Sequence, residues 1–200
     1  MRDIIKLSAI LFIITAIAAV LLGYTNSITK DTIEDQIRLE NEAARKAVMP
    51  SGENFEQVDQ DTITEIAKEL NFKDINVISE VYAVKKGSEV IGYTFKSLPK
   101  GFGGEISLLT GISIEEKVTG MKVISHSETP GLGAKSTEDV FQDQYKDKPV
   151  ENPLVVVKTK PVNDNEIQAI TGSTITSSAV TDGVNLSLEI FKELINRGVM

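Results

Sequence analysis

The chain has 200 residues, one histidine, no cysteine and a formal net charge of −8. The acidic balance argues against nucleic acid as a partner. The lack of cysteine excludes disulfides, a cysteine-ligated iron–sulfur cluster and thiolate zinc in this chain, and one histidine argues against a histidine-rich metal site, so a redox role must rest on an organic cofactor.

Leu7 to Gly23 carries no charge. With Ile4, Ile5 and Tyr24 at its edges the apolar run reaches about 20 residues, enough to cross a hydrocarbon core of roughly 30 Å. Arg2 and Lys6 precede it, and Lys30, Asp31, Glu34 and Asp35 follow. The basic bias places the N-terminus in the cytoplasm and the rest of the chain outside. Ala16-Ile17-Ala18 also matches a signal-peptide cleavage pattern. The run continues apolar through Val20, Leu21 and Leu22, which favours an uncleaved anchor. Residues 1–24 therefore read as a cytoplasmic N-terminus and one transmembrane helix.

Residues 25–50 read as a juxtamembrane helix, with Ile33, Ile37 and Ala44 on one side and Asp31, Glu34, Arg38, Glu42 and Arg45 on the others. Met49-Pro50-Ser51-Gly52 stops it. Residues 51–200 form the globular domain. It starts with a polar stretch from Phe55 to Phe72 that has a short helical pattern at Ile63, Ile66, Ala67 and Leu70. Ile75 to Val84 and Glu89 to Phe95, turned by Lys85-Lys86-Gly87-Ser88, predict a hairpin. Strand-like runs follow at Glu105 to Ile114 and Lys117 to Ser127, around a turn at Glu115-Glu116. Ser136 to Tyr145 reads as a short helix and Leu154 to Lys158 as a strand. The fold class is α+β, an antiparallel sheet with helices packed on it.

Two loops in this domain stand out. Lys100-Gly101-Phe102-Gly103-Gly104-Glu105 sets three glycines around an aromatic side chain that can lie against a flat ring. His126 to Lys135 contains Glu128-Thr129-Pro130-Gly131-Leu132-Gly133; Pro130-Gly131 suits a type II turn, and Gly133 can take positive φ. His126 reads as a structural residue, and Glu128 as a turn or capping carboxylate.

The last stretch is Thr171-Gly172-Ser173-Thr174-Ile175-Thr176-Ser177-Ser178. Val180, Val184, Leu188, Phe191 and Ile195 follow at helical spacing, so the hydroxyl cluster sits at a helix entrance. Thr174, Thr176 or Ser177 can each be the N-cap. The first-turn N–H groups and the positive dipole end favour a phosphate, and Gly172 permits a sharp turn or a close ligand.

This stretch resembles the flavinylation motif of membrane flavoproteins, Ser/Thr-Gly-Ala-Thr/Ser-any-Thr, in which FMN is esterified to the last threonine. Thr171 to Thr176 fits it, with Ser173 in place of alanine and Gln168 where an aspartate is common. Together the Gly-aromatic-Gly-Gly loop, Glu-Thr-Pro-Gly-Leu-Gly and Thr-Gly-Ser-Thr-Ile-Thr look like the FMN-binding domain of RnfG, the flavin-carrying member of the Rnf electron transport complex, over about Val77 to Ile195. That complex passes electrons from ferredoxin to NAD and couples this to ion transport. NqrC, of the sodium-translocating NADH:quinone reductase, shares the domain.

The resemblance implies an extracytoplasmic FMN domain with Thr176 as the phosphoester acceptor and the other membrane subunits of the complex as partners. It also implies a separate flavin transferase, using FAD and magnesium, for which this chain is the substrate. Nothing in the chain forms a catalytic triad of its own. By motif, Thr171, Gly172, Ser173, Thr174, Ser177, Phe102, Gly103, Gly104, Glu128, Thr129, Gly131, Leu132 and Gly133 belong to the cofactor site, with Phe102 and Leu132 over the ring. The alternatives are a stand-alone anchored flavoprotein, an NqrC-type protein, and an anchored binding domain without cofactor.

Overall fold

A computed structural model describes residues 2–74 and 76–198. The chain divides into two compact units, Met1–Glu42 and Ala43–Met200. Helix α1, Arg2–Val48, supplies the first unit and is long and apolar enough to cross a membrane. Its side chains from Ile4 to Leu22 are exposed nearly all round, an arrangement that hydrocarbon accommodates and water does not. Two hydroxyls of this helix are satisfied by its own backbone. Thr15 donates to the Leu11 carbonyl at 3.0 Å and Thr25 to the Leu21 carbonyl at 2.9 Å.

The second unit is built on a five-stranded sheet. Its strands are β1 (Asn54–Gln57), β2 (Ile78–Lys86), β3 (Glu89–Ser97), β4 (Ser107–Ser113) and β5 (Lys117–Ser125). They run in sequence order, each antiparallel to the next. The expected hairpin is β2–β3. Lys85 and Lys86 extend the strand rather than forming the turn, which tightens onto Gly87-Ser88. The expected start at Ile75 lies outside the described residues. Strand β1 is an edge strand with one half-buried residue, Phe55, so it shows no alternation that a sequence reading can detect.

Helix α2 (Gln60–Glu69) starts at Asp59, whose carboxylate accepts the Thr62 N–H at 3.4 Å, and it buries Ile63, Ile66 and Ala67. The helix expected over Ser136 to Tyr145 is broken into three pieces: a 3-10 turn at Gly133–Thr137, α3 at Asp139–Gln142 and a second 3-10 turn at Asp143–Tyr145. Phe141 and Tyr145 are both buried, and their rings meet edge to face at 5.6 Å. Strand β6 (Val155–Val157) pairs in parallel with β7 (Glu166–Gln168), a three-residue strand too short to show a period. The last helix, α4 (Thr174–Asn196), buries Val180, Val184, Leu188 and Phe191 in the core with Tyr93, Phe95, Leu108 and Ile112. Ile195 packs at its margin.

The final turn of α1 belongs to this unit. Ala44 and Val48 pack against Leu109 of β4, and the Thr119 hydroxyl of β5 donates to the Val48 carbonyl. Arg45 donates to Glu80 Oε2 at 2.8 Å and lies 3.8 Å over the Tyr82 ring, while Lys96 holds Glu80 Oε1 at 2.9 Å. Burial pushes the Glu80 carboxyl up, but Lys96 and Arg45 outweigh it, and the net shift is down. Arg45→Ala removes one of the two cations that hold Glu80 and uncovers Tyr82. The expected loss is about 2 kcal/mol of unfolding free energy at neutral pH, read by urea titration. A carboxylate whose folded pKa is depressed gives stability that is lost as pH falls through that pKa. The gap between wild type and variant therefore narrows in acid.

Candidate functional site

The hydroxyl-rich stretch folds as a turn that runs into α4. Ser173 N–H donates to the Ile170 carbonyl at 2.9 Å, and Gly172 sits at φ +79°, a conformation that side chains with a Cβ rarely adopt. The turn closes early, so the helix begins at Thr174 and the cap position is Ser173. The three expected caps, Thr174, Thr176 and Ser177, are all inside the helix. Ser173 makes no side-chain cap hydrogen bond, and no other side chain among the described residues caps this helix N-terminus. The Ser177 hydroxyl is fully buried, donating to the Ser173 carbonyl at 3.0 Å and accepting the Ile170 N–H at 2.9 Å. It staples the turn to the helix. Behind it Thr181 donates to the Ser177 carbonyl and meets the Tyr145 hydroxyl at 2.7 Å.

Thr176 faces the other way. Its hydroxyl donates to Glu128 Oε2 at 2.7 Å, a contact between residues 48 apart in the chain. The other carboxylate oxygen, Oε1, accepts the Gly103 N–H at 2.9 Å. Glu128 is only 6% exposed, and its own N–H donates to His126 Nδ1 at 3.1 Å. Burial pushes the Glu128 carboxyl up. The Thr176 hydroxyl, the Gly103 and Phe102 N–H groups and His126 together outweigh burial, so the group stays below the usual carboxylate range and is ionised at neutral pH.

Both glycine loops make room for this carboxylate. Gly133 does not adopt positive φ, contrary to the expectation from sequence. A Cβ there would strike Glu128 Oε2 and lie 2.7 Å from the Thr176 hydroxyl oxygen, so the position needs space rather than backbone freedom. Thr129 to Leu132 does form the expected turn, closed by Leu132 N–H to the Thr129 carbonyl at 3.2 Å with Gly131 at φ +76°.

These elements enclose a cavity of about 370 Å³ lined by Phe102, Glu128, Thr129, Leu132, Gly133, Gly172, Ser173, Thr174, Ile175 and Thr176. That is the size of a small-ligand site. Phe102, Leu132 and Ile175 form an apolar rim, 69%, 44% and 59% exposed. Five residues grouped with this site by motif are not on its wall. Gly103 and Gly104 shape the loop behind Glu128, Gly131 shapes the turn, Thr171 is exposed beside the cavity and Ser177 is interior. Sequence reasoning missed Ile175, whose only signal is an apolar side chain at the variable position of a polar motif. It also gave Glu128 no contact with Thr176.

A family model described as the FMN-binding domain matches residues 101–189, and one described as the RnfG N-terminal region matches residues 1–48. The G component of the Na(+)-translocating ferredoxin:NAD(+) oxidoreductase complex of Acetobacterium woodii is 46% identical over 96% of this chain and 94% of that protein. The chain belongs to the RnfG family. A second RnfG relative, from the proton-translocating ferredoxin:NAD(+) oxidoreductase complex of Clostridium ljungdahlii, is 42% identical over 66% of the chain and 71% of its own length. Two crystal structures share the fold. The C component of the Na(+)-translocating NADH-quinone reductase of Parabacteroides distasonis has a TM-score of 0.54 at 19% identity, covering 72% of this chain and 78% of its own. NqrC of Shewanella oneidensis has a TM-score of 0.50 at 21% identity, covering 58% and 61%.

Proposed function

We propose that this RnfG family member is the membrane-anchored electron carrier of an ion-translocating ferredoxin:NAD oxidoreductase complex, and that it holds FMN as a phosphoester on Thr176. The observation that carries the reading is the mouth of α4. There an uncapped helix N-terminus, the Thr176 hydroxyl and an apolar rim converge on one cavity. Such a helix end suits a phosphate. Phe102, Leu132 and Ile175 suit the faces of a flat ring, and Thr129 offers a hydroxyl at its edge. Bound FMN supplies the electron chemistry, and the residues around it supply position and electrostatics. An ester tether also keeps the cofactor at a high local concentration whatever the bulk supply.

In this reading residues 1–24 are the cytoplasmic end and the membrane span, 25–50 the juxtamembrane segment and 51–200 the extracytoplasmic flavin domain. Arg2 and Lys6 before the apolar run support that orientation. Partners are the other membrane subunits of the complex and a flavin transferase that loads the chain. Intact-mass measurement on protein from its native membrane is expected to show the amino-acid mass plus one FMN less water, with in-gel fluorescence after denaturation. A mass equal to that of the amino acids alone overturns the reading.

A further inference from the structure

We infer that Glu128 accepts the proton of the Thr176 hydroxyl when that hydroxyl is esterified, which makes it a catalytic group supplied by the substrate chain rather than by the enzyme that modifies it. The inference rests on the reading of Thr176 as the flavin attachment point.

A threonine hydroxyl is a weak nucleophile at neutral pH and needs a base within hydrogen-bond reach. Glu128 Oε2 is at 2.7 Å, and the shared proton already points at it. The carboxylate is aimed rather than loose. Gly103 N–H pins its second oxygen, it is 6% exposed, and Gly133 keeps side-chain atoms out of the contact. The contact also belongs to the unmodified chain alone, because an ester oxygen has no proton to donate. Its place is therefore before the ester forms, when a base has work to do.

In the step, Thr176 Oγ forms a bond to the flavin-side phosphorus of the dinucleotide FAD. The bond from that phosphorus to the bridging oxygen breaks, and adenosine monophosphate leaves with the bond's electrons. The Oγ proton passes to Glu128 and from there to solvent. No oxidant or reductant is needed.

The test uses the full-length chain in detergent with a flavin transferase, FAD and magnesium, following mass gain and in-gel fluorescence over time. Glu128→Gln keeps the shape and the acceptor for Gly103 N–H, but turns an N–H group toward Thr176. Its labelling rate is expected to fall by about 10²-fold or more, the usual worth of a positioned base. Its melting temperature shows that the chain is folded. Glu128→Asp retains a carboxylate one methylene further back, within reach through one water, and is expected to label faster than Glu128→Gln. Wild-type rates in Glu128→Gln, or Asp no faster than Gln, overturn the role of Glu128 while leaving Thr176 as acceptor. A wild-type chain that gains no mass, or gains it elsewhere than on Thr176, overturns the attachment reading and this inference with it.

Discussion

Thr176→Val is expected to give a folded chain that gains no flavin mass and no in-gel fluorescence in cells that label the wild type to completion. Valine matches threonine in shape and β-branching, so the first turn of α4 keeps its packing. The loss is chemical: the hydroxyl bonded to Glu128 is gone. Neighbouring hydroxyls do not replace it. Ser177 is engaged on both its donor and acceptor sides and lies off the cavity wall. Thr174 is two residues earlier on the helix, about 200° around its axis, so it does not share the direction of Thr176. Ser173 is the cap residue and precedes the first turn that carries Thr176. Thr176→Ser, which restores a hydroxyl at the same place, is expected to restore labelling. Flavin found on Thr174 or Ser173 in the valine variant would move the acceptor off Thr176.

The second large effect is on stability. Phe191→Ala is expected to lower the unfolding free energy by about 3–5 kcal/mol, a large share of the roughly 5–15 kcal/mol that holds an ordinary domain together. Phe191 is 1% exposed and meets the Tyr93 ring edge to face, with centroids 6.0 Å apart and planes at 72°. Alanine removes the ring but leaves Tyr93, Val184, Leu188 and the sheet backbone where they are, so the void closes only in part. Urea unfolding followed by circular dichroism measures it, since the chain has no tryptophan to report by fluorescence. Labelling of Thr176 should decline only as the folded fraction declines. A change below about 1 kcal/mol would mean that the site does not depend on the core stripe of its own helix.

That dependence explains which parts are legible in the sequence. Val180, Val184, Leu188 and Phe191 recur at the spacing of one helix face, and the same helix carries Thr176 at its start, so one pattern marks both fold and site. The hairpin of β2 and β3 is equally open, because burial and turn chemistry agree there. Strands β1 and β7 are not, since each is short and nearly all polar. The cap of α4 escapes a sequence reading because the conformation at Gly172, not the nearest hydroxyl, decides where the helix begins. The Glu128–Thr176 bond is out of reach for a different reason. It joins residues that only the folded chain brings together, and no local pattern encodes it. The same holds for Gly133, whose value lies in a collision avoided with two side chains distant in sequence.

Arg45, Val48 and Met49 lie before the bend at Pro50, yet all three are buried in the second unit. The natural place to sever this protein for a water-soluble fragment is therefore upstream of Ala43. Trimming at the proline corner would strip a plug from the outer face of β4 and β5 and expose Leu109 to solvent. A fragment that looks tidier on paper would be the one prone to clump.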